Sequence, residues 1–348
     1  MYIQDLHCIS PQQTQTEPFF SEPLRHYTGN KYIALEPDYA PLIPAGLLRR
    51  TGKAVKMGLG AALPLLKKYP DLDGIVIATS AGGIEDSMKF LTQIVDYEEG
   101  TLTPTHFVQS TPNSLAGMLA ILSKNTGYNT THSNKSLSFE AALQDALLLF
   151  QEGACSSLLV GNTEQFSQHN YNIESLESTY KTEPVDSDKL LKSGTSGTVC
   201  GEGAAMFVVS KNPAEALAQI SDVGQISSPG QEELHACMVS FLASNQLVPD
   251  DIDTLVLGFN GDQRYDFWYS DLISTLFPSQ SVISFKNLVG EYPTASAFAV
   301  WLSTMLLSGQ KCPAEALYKK GMQPPKNLLI YNHSKGIQHG FILLRKAV

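Results

Sequence analysis

The sequence predicts an α/β protein made of two duplicated α/β halves stacked as a five-layer α/β/α/β/α sandwich. Three observations carry this expectation. Short apolar strand-like runs alternate with helical segments along the whole chain. The order of these segments recurs in two parts, roughly 1–210 and 211–348. Two helical stretches, 137–150 and 294–307, are apolar on every side and must lie between other layers, not on a surface.

The elements follow in chain order. Residues 1–30 read as an opening strand and then a polar, proline-containing loop. Residues 46–67 (GLLRRTGKAVKMGLGAALPLLK) place apolar residues at helical spacing. DGIVIATSAGG, 73–83, reads as a buried strand ending in a small-residue turn. Helices follow over 85–100 and 112–126, the second capped by Asn113 or Ser114. A strand at 128–134 runs into a nearly uncharged helix at 137–152 that stops at Gly153. Strands at 156–164 and 204–210, with a polar loop between them, complete the first half. In the second half, strand 252–259, helix 265–277, strand 281–285 and helix 294–309 repeat the plan. Strands 327–334 and 340–346 close the chain.

Composition limits the function classes. The chain has 348 residues, 43% hydrophobic and 17% charged, which is globular rather than disordered. Its net charge of −10 argues against a general nucleic-acid or membrane-surface binder. Arg49, Arg50, Lys53 and Lys56 form a local basic cluster that either meets an acidic protein or is a solvated helix face. The five cysteines are scattered and show no metal-ligand spacing, so no metal is expected and reduced thiols in a cytoplasm fit best. The first residues, MYIQDLHCISPQQT, lack the basic start and apolar run of a signal peptide. No apolar run approaches the ~20 residues needed to span a bilayer.

Several stretches in this order resemble the thiolase-like fold, and within it the β-ketoacyl-acyl-carrier-protein synthases. TLTPTHFVQSTPNSLAGMLA (101–120) resembles that family's "SP…F…PN…AG" segment, and LLVGNTE (158–164) its "AGGTE" strand. GTVCGEGAAMFVV (197–209) is similar to "GF…GEGAG…V", and SFKNLVGEYPTASAFAVWL (284–302) to "STKS..GH..GAAG". NHSKGIQHGFILL (332–344) stands where the family has "NSFGFGGHN". EEGTLTPTHFVQSTPNSLAG together with GEYPTASAF resembles a divergent subgroup. Its members accompany bacterial systems for aryl-polyene or flexirubin-type pigments and include chain-length-factor-like partners.

The resemblance implies where chemistry would sit. A condensing member needs a cysteine at the start of a buried helix, whose N–H groups favour thiolate and oxyanion. It also needs two histidines, or a histidine and an asparagine, facing the malonyl thioester. Aligned without gaps on Gly127 and Gly153, the cysteine position is Ser136. The first histidine position is Gly258, or Phe259 with one shift, and Asn260 is the nearest polar stand-in. At the second, Lys286 and Gly290 are retained but Glu291 replaces the histidine. Of the glycine-rich gate only Gly336 remains in SKGIQ (334–338).

A serine without an adjacent base is a weak nucleophile. A glutamate does not donate to a carbonyl unless its pKa is raised well above its free value of ~4.3. Glu291 has two readings, an ion pair with Lys286 or an acid–base role. His132 and His106 read as hydrogen-bonded core or interface histidines. Cys200, Glu202 and the small residues Thr294 to Ala297 read as structural.

The expectation is therefore a catalytically degenerate ketosynthase homologue that acts as a chain-length-factor-like partner of an active ketosynthase. One alternative is a carrier-protein-dependent acyltransferase or thioesterase using Ser136; another is a binding protein for acyl chains or carrier proteins. Expected partners are an active ketosynthase or a second copy of the chain, and an acyl carrier protein. Phosphopantetheine would enter only as part of that carrier, with no cofactor of the chain's own. Pairing is expected through 101–135 and the strand near 128–134, which places Phe107, Gln109 and Thr111 close to the interface or the partner's acyl pocket.

Overall fold

The computed structural model describes residues 1–15, 18–21, 23–321 and 323–347; part of the loop expected after the opening strand lies outside them. The first half contributes β1 (Tyr2–Ile9), β2 (Gly74–Ala78), β3 (Tyr128–His132), β4 (Ser157–Glu164) and β5 (Gly203–Ser210). The second contributes β6 (Ala218–Ser227), β7 (Thr254–Leu257), β8 (Ser281–Ser284), β9 (Leu317–Lys319), β10 (Asn327–Ser334) and β11 (Gln338–Lys346). The helices longer than one turn in the first half are α1 (Lys53–Lys68), α2 (Ile84–Asp96), α3 (Pro104–Gln109), α4 (Ser114–Ser123), α5 (Ser138–Gln151) and α6 (Gln168–Leu176). Those in the second half are α7 (Gln231–Ser244), α8 (Phe267–Leu276) and α9 (Ser296–Leu307).

The strands lie in the order β3-β2-β4-β5-β1-β6-β11-β10-β7-β8-β9. Read outward from the β1–β6 seam, the two halves have the same topology. β1 and β6 are each antiparallel to the next strand, β5 or β11, which is antiparallel to β4 or β10. The next two pairs outward are parallel in both halves, and β9 adds an antiparallel edge strand to the second half alone. The halves join where Tyr2 pairs with Gln219 and Ile3 with Ala218. The duplication is thus written in strand order, and the fold is the thiolase-like sandwich.

Packing gives the five layers. α1 and α4 cover the outer face of the first sheet, burying Met57, Leu59, Leu115 and Leu119. α7 and α8 cover the second sheet with Leu234, Met238, Tyr269 and Leu272. α5 and α9 lie between the sheets, where Phe139, Leu143, Phe298 and Trp301 share one core with both. α9 buries nearly its whole length, as an all-round apolar helix must. Each large apolar side chain there contributes about 1.5–3 kcal/mol of burial.

Several elements differ from expectation. The 46–67 segment is not one helix: a single turn, Ala45–Leu48, precedes α1, with Gly52 as the N-cap between them. The Thr51 hydroxyl donates to the Leu47 carbonyl at 2.8 Å and Gln109 accepts the Gly52 N–H at 3.1 Å, so the chain breaks and restarts there. β6 and α7 were not foreseen, and α6 lies inside the stretch read as polar loop. Gln109 is buried and spent on that break, also donating to the Arg50 carbonyl at 2.5 Å. Phe107 and Thr111 are exposed.

Candidate functional site

The turn that leads into α5 is built by side chains. Ser138 Oγ accepts the Asn134 N–H at 2.8 Å and donates to the Lys135 carbonyl at 2.7 Å. Lys135 adopts a left-handed φ of 49°. Ser136 follows in a short 3-10 turn and faces a cavity of about 640 Å³. Its hydroxyl makes no hydrogen bond to any described residue, so no base takes its proton. Its backbone N–H donates to Gln338 Oε1 at 3.1 Å.

Across the cavity, β7 and the turn after β8 bring Asn260, Lys286 and Glu291 together. Lys286 is fully buried, and its Nζ donates to Glu291 Oε1 at 2.9 Å and Oε2 at 2.7 Å. Asn260 Nδ2 donates to Oε2 at 2.7 Å. Three donor contacts therefore hold Glu291 as an acceptor-only carboxylate. Asn260 is fixed in turn, its backbone N–H donating to Asp266 Oδ1 at 3.1 Å. Burial pushes the Asp266 carboxyl up to about 6 against the pull of these N–H groups and of Lys286. Gly290 makes the bend before Glu291 with φ 77°, where a Cβ would come within 2.6 Å of the Cys200 carbonyl.

Gly258 stands where the first histidine of the resemblance would be, and the structure has no room for any side chain. A Cβ would lie 2.4 Å from Asn332 Oδ1 and 2.5 Å from the Tyr269 hydroxyl. The place of an imidazole is filled by the Tyr269–Asn332 pair and the Lys286 stem. Phe259, the shifted alternative, is buried and stacks on Tyr318 at 4.5 Å.

Residues that the sequence reading passed over complete the cavity. His333, from β10, is 4% exposed and stacks on Tyr269 at 4.4 Å. Burial, with the charge of Lys286 and neighbouring His339, pushes its pKa well below the usual imidazole range, so the ring is neutral. Gln338, Thr179, Tyr265 and Arg264 also line the space. Their signal was faint: His333 is one polar residue in an apolar closing strand, and Thr179 lies in a polar loop. At the mouth Lys335 Nζ meets Glu177 Oε2 at 3.0 Å, and Arg264 pairs with Asp262 at 2.6 Å.

The other singled-out residues are structural in placement. His132 bonds Asp145 at 2.9 Å and His106 bonds Asp86 at 2.8 Å. Glu202 accepts from Lys53, from the Ala34 N–H at 2.9 Å and from the Phe166 N–H at 2.8 Å, which removes Lys53 from the basic cluster. Asn162 donates to Thr294 Oγ1 at 2.7 Å. Cys200 is buried with its thiol pushed up to about 12, chiefly by burial. All five cysteines are free, and no group of three or more ligand side chains among the described residues is placed to hold a metal. No helix among them is long and apolar enough to cross a membrane.

A duplicated sheet with two central helices, and a polar cavity at the start of one of them, is the arrangement of thiolase-like proteins. The family model for the beta-ketoacyl synthase N-terminal domain matches residues 27–224, more than half of the chain, so this protein belongs to the β-ketoacyl synthase family. A comparison with curated protein sequences found no match. Among solved structures, the ishigamide ketosynthase/chain length factor is similar at TM-score 0.79 and 12% identity, covering 99% of this chain and 98% of that one. The ketosynthase ApeO in complex with its chain length factor ApeC, from Xenorhabdus doucetiae, is similar at TM-score 0.80 and 16% identity, covering 99% and 98%. A beta-ketoacyl synthase from Burkholderia phymatum STM815 gives TM-score 0.81 and 14% identity, covering 100% and 99%. At these identities the likeness is one of fold.

Proposed function

We propose that this chain is a non-condensing, chain-length-factor-like subunit that pairs with an active ketosynthase in fatty-acid or polyketide synthesis of the aryl-polyene type. One observation carries the reading: every group that would do chemistry is replaced or already engaged. Ser136 has no base, its N–H is occupied by Gln338, Gly258 leaves no room for an imidazole, and Glu291 is held by Lys286 and Asn260. A carboxylate in the second histidine's place would face the enolate of a decarboxylation with the wrong sign, at a cost of several kcal/mol, on the scale of a lost oxyanion donor. The cavity mouth supports the same reading. Glu174, Glu177, Asp262 and Glu291 offset Lys135, Arg264 and Lys335, so it is no basic port for an acidic carrier protein.

The pairing surface is supported by exposure. β3 is an edge strand bonded only to β2. On the helices α2, α3 and α4, Val95, Phe107, Val108 and Ile121 are each more than 60% exposed, apolar surface that a partner would cover. The similar structures include a ketosynthase/chain length factor and a ketosynthase in complex with its chain length factor, which fits such a cover. Co-expression with the ketosynthase encoded nearest to it should yield a heterodimer and change the partner's product length. A stable homodimer without effect on any synthase would refute the proposal.

A further inference from the structure

A β-bulge puts one extra residue into a strand and re-aims the side chains beside it. β6 carries one where it pairs with β11: Leu344 is paired with Ile220 and Leu343 with Asp222, so Ser221 is left over. Two successive polar side chains then meet the end of α7. Asp222 Oδ2 accepts from Asn245 Nδ2 at 2.8 Å, and Ser221 lines a cavity with Ser244 and Asn245. α7 ends there because Gln246 takes a left-handed φ of 59°. The Gln246 N–H donates to the Ala243 carbonyl and the Leu247 N–H to the Leu242 carbonyl, both at 3.0 Å. The Asn245 carbonyl is left for β11, where Arg345 Nη2 donates to it at 2.8 Å.

This cavity measures about 380 Å³ and lies at the other end of the β6–β11 ladder from the one at Ser136. β6 runs from Gln219 here to Ser227 there, and β11 from Gln338 there to Arg345 here. Seven or eight residues at ~3.3 Å each separate the two by about 25 Å. No carboxylate lines the second cavity, and Arg345 is its one cation among the described residues. The nearby Asp222 already accepts from Asn245 and from the Val223 N–H. Arg345 Nε–H is buried without an acceptor, and the buried Ser221 hydroxyl has no partner either. Buried donors without acceptors are costly and rare, more so on a charged group. Two of them on one polar cavity mark a place for an acceptor from outside the chain.

We propose that this second cavity binds the carboxylate of a small metabolite. The carboxylate would accept the Arg345 Nε–H and the Ser221 hydroxyl while Arg345 Nη2 stays on the end of α7. The Gln219 and Gln246 amides, which both donate and accept, would meet polar groups on the rest of the molecule. One negative charge matches one guanidinium that has no carboxylate partner. A phosphate dianion would overbalance it beside the carbonyl end of α7, which carries partial negative charge. The site is independent of any pairing with a ketosynthase.

The full chain is titrated with propanoate, propanamide and inorganic phosphate while the arginine Nε–H signals are followed by proton–nitrogen NMR. The Arg345 signal is identified by its loss in Arg345→Lys, which keeps a positive charge at the end of α7 but has no Nε–H. Propanoate should move that signal downfield and saturate it; propanamide, the neutral isostere, should leave it in place. Ser221→Ala should weaken propanoate about tenfold, the worth of one hydrogen bond to a charged group, and leave the fold intact. Calorimetric titration of wild type and Ser221→Ala gives the same comparison if Arg345→Lys folds poorly. The proposal is overturned if propanoate produces no saturable shift, or if Ser221→Ala binds it as tightly as wild type. Propanamide binding equally well would remove the charge from the recognition, and phosphate binding equally well would remove the carboxylate; either result also overturns it.

Discussion

Glu140 lies in the first turn of α5 and is buried to 1% exposure in the middle layer. Its Oε2 has no hydrogen-bond partner, and Gly340 of β11 packs so closely that a Cβ there would come within 2.7 Å of Oε1. Burial pushes its carboxyl from the ordinary 4.5 up to about 7, and its own first-turn N–H and the charge of Lys286 recover only part of that. Between those values the folded chain holds a proton that the unfolded chain has lost. Stability therefore falls as pH rises from about 4.5 through about 7, and the contribution is fully present only below that window. A difference of that size at 1.36 kcal/mol per pH unit amounts to about 3 kcal/mol above pH 8. Glu140→Gln keeps the shape and never ionises. The variant should match wild type near pH 4 and exceed it by about 3 kcal/mol at pH 8. At roughly 2.1 cal/mol/K per residue over 348 residues, that is about 4 °C in Tm. Thermal melts by circular dichroism at pH 4, 5.5, 7 and 8 measure it. A constant offset between the two proteins across that range would refute the buried, protonated carboxyl. Glu164, also raised to about 7 by burial, supplies a residual slope common to both proteins.

Lys286→Met leaves Glu291 without its buried cation and should cost about 3–5 kcal/mol in chemical denaturation, while Lys286→Met with Glu291→Met recovers most of it. Gly258→Ala forces a methyl against two buried oxygens and should lose about 1–3 kcal/mol. Gly258→His should lose more and gain no condensing activity when combined with Ser136→Cys, measured by thioester consumption. Val108→Glu and Ile121→Glu, at positions 66% and 79% exposed, should abolish association with a ketosynthase in size-exclusion chromatography while shifting stability by no more than about 0.5 kcal/mol.

Much of this architecture was legible because apolar periodicity is a local signal. The helices now α5 and α9 declared themselves by having no polar face, and the strands β2, β4, β5 and β10 by unbroken apolar runs. β6 was not legible because only some of its residues are buried, and its AQISDVGQIS reads as loop without its neighbours β1 and β11. The Lys286–Glu291 pair was legible because both residues sit in one turn. Gln338 capping Ser136 was not: nothing in either segment reports on the other, and only the docking of the two sheets brings them together. His333 was hidden for a related reason. Its place in the chain suggested a closing strand, and its unpartnered nitrogen exists only because Gly336 N–H turns back onto the ring.

The cavity straddles the seam between the two copies of the fold. Ser136 enters from one copy; Gln338, His333 and Glu291 enter from the other. Neither copy owns a complete set of walls, so the space vanishes whenever the copies slide or part. Trp268 sits within the second copy, its indole beside Gly336 in the turn joining β10 to β11. Its emission would report the seating of that turn, the segment that carries Gln338 to the seam, without any label.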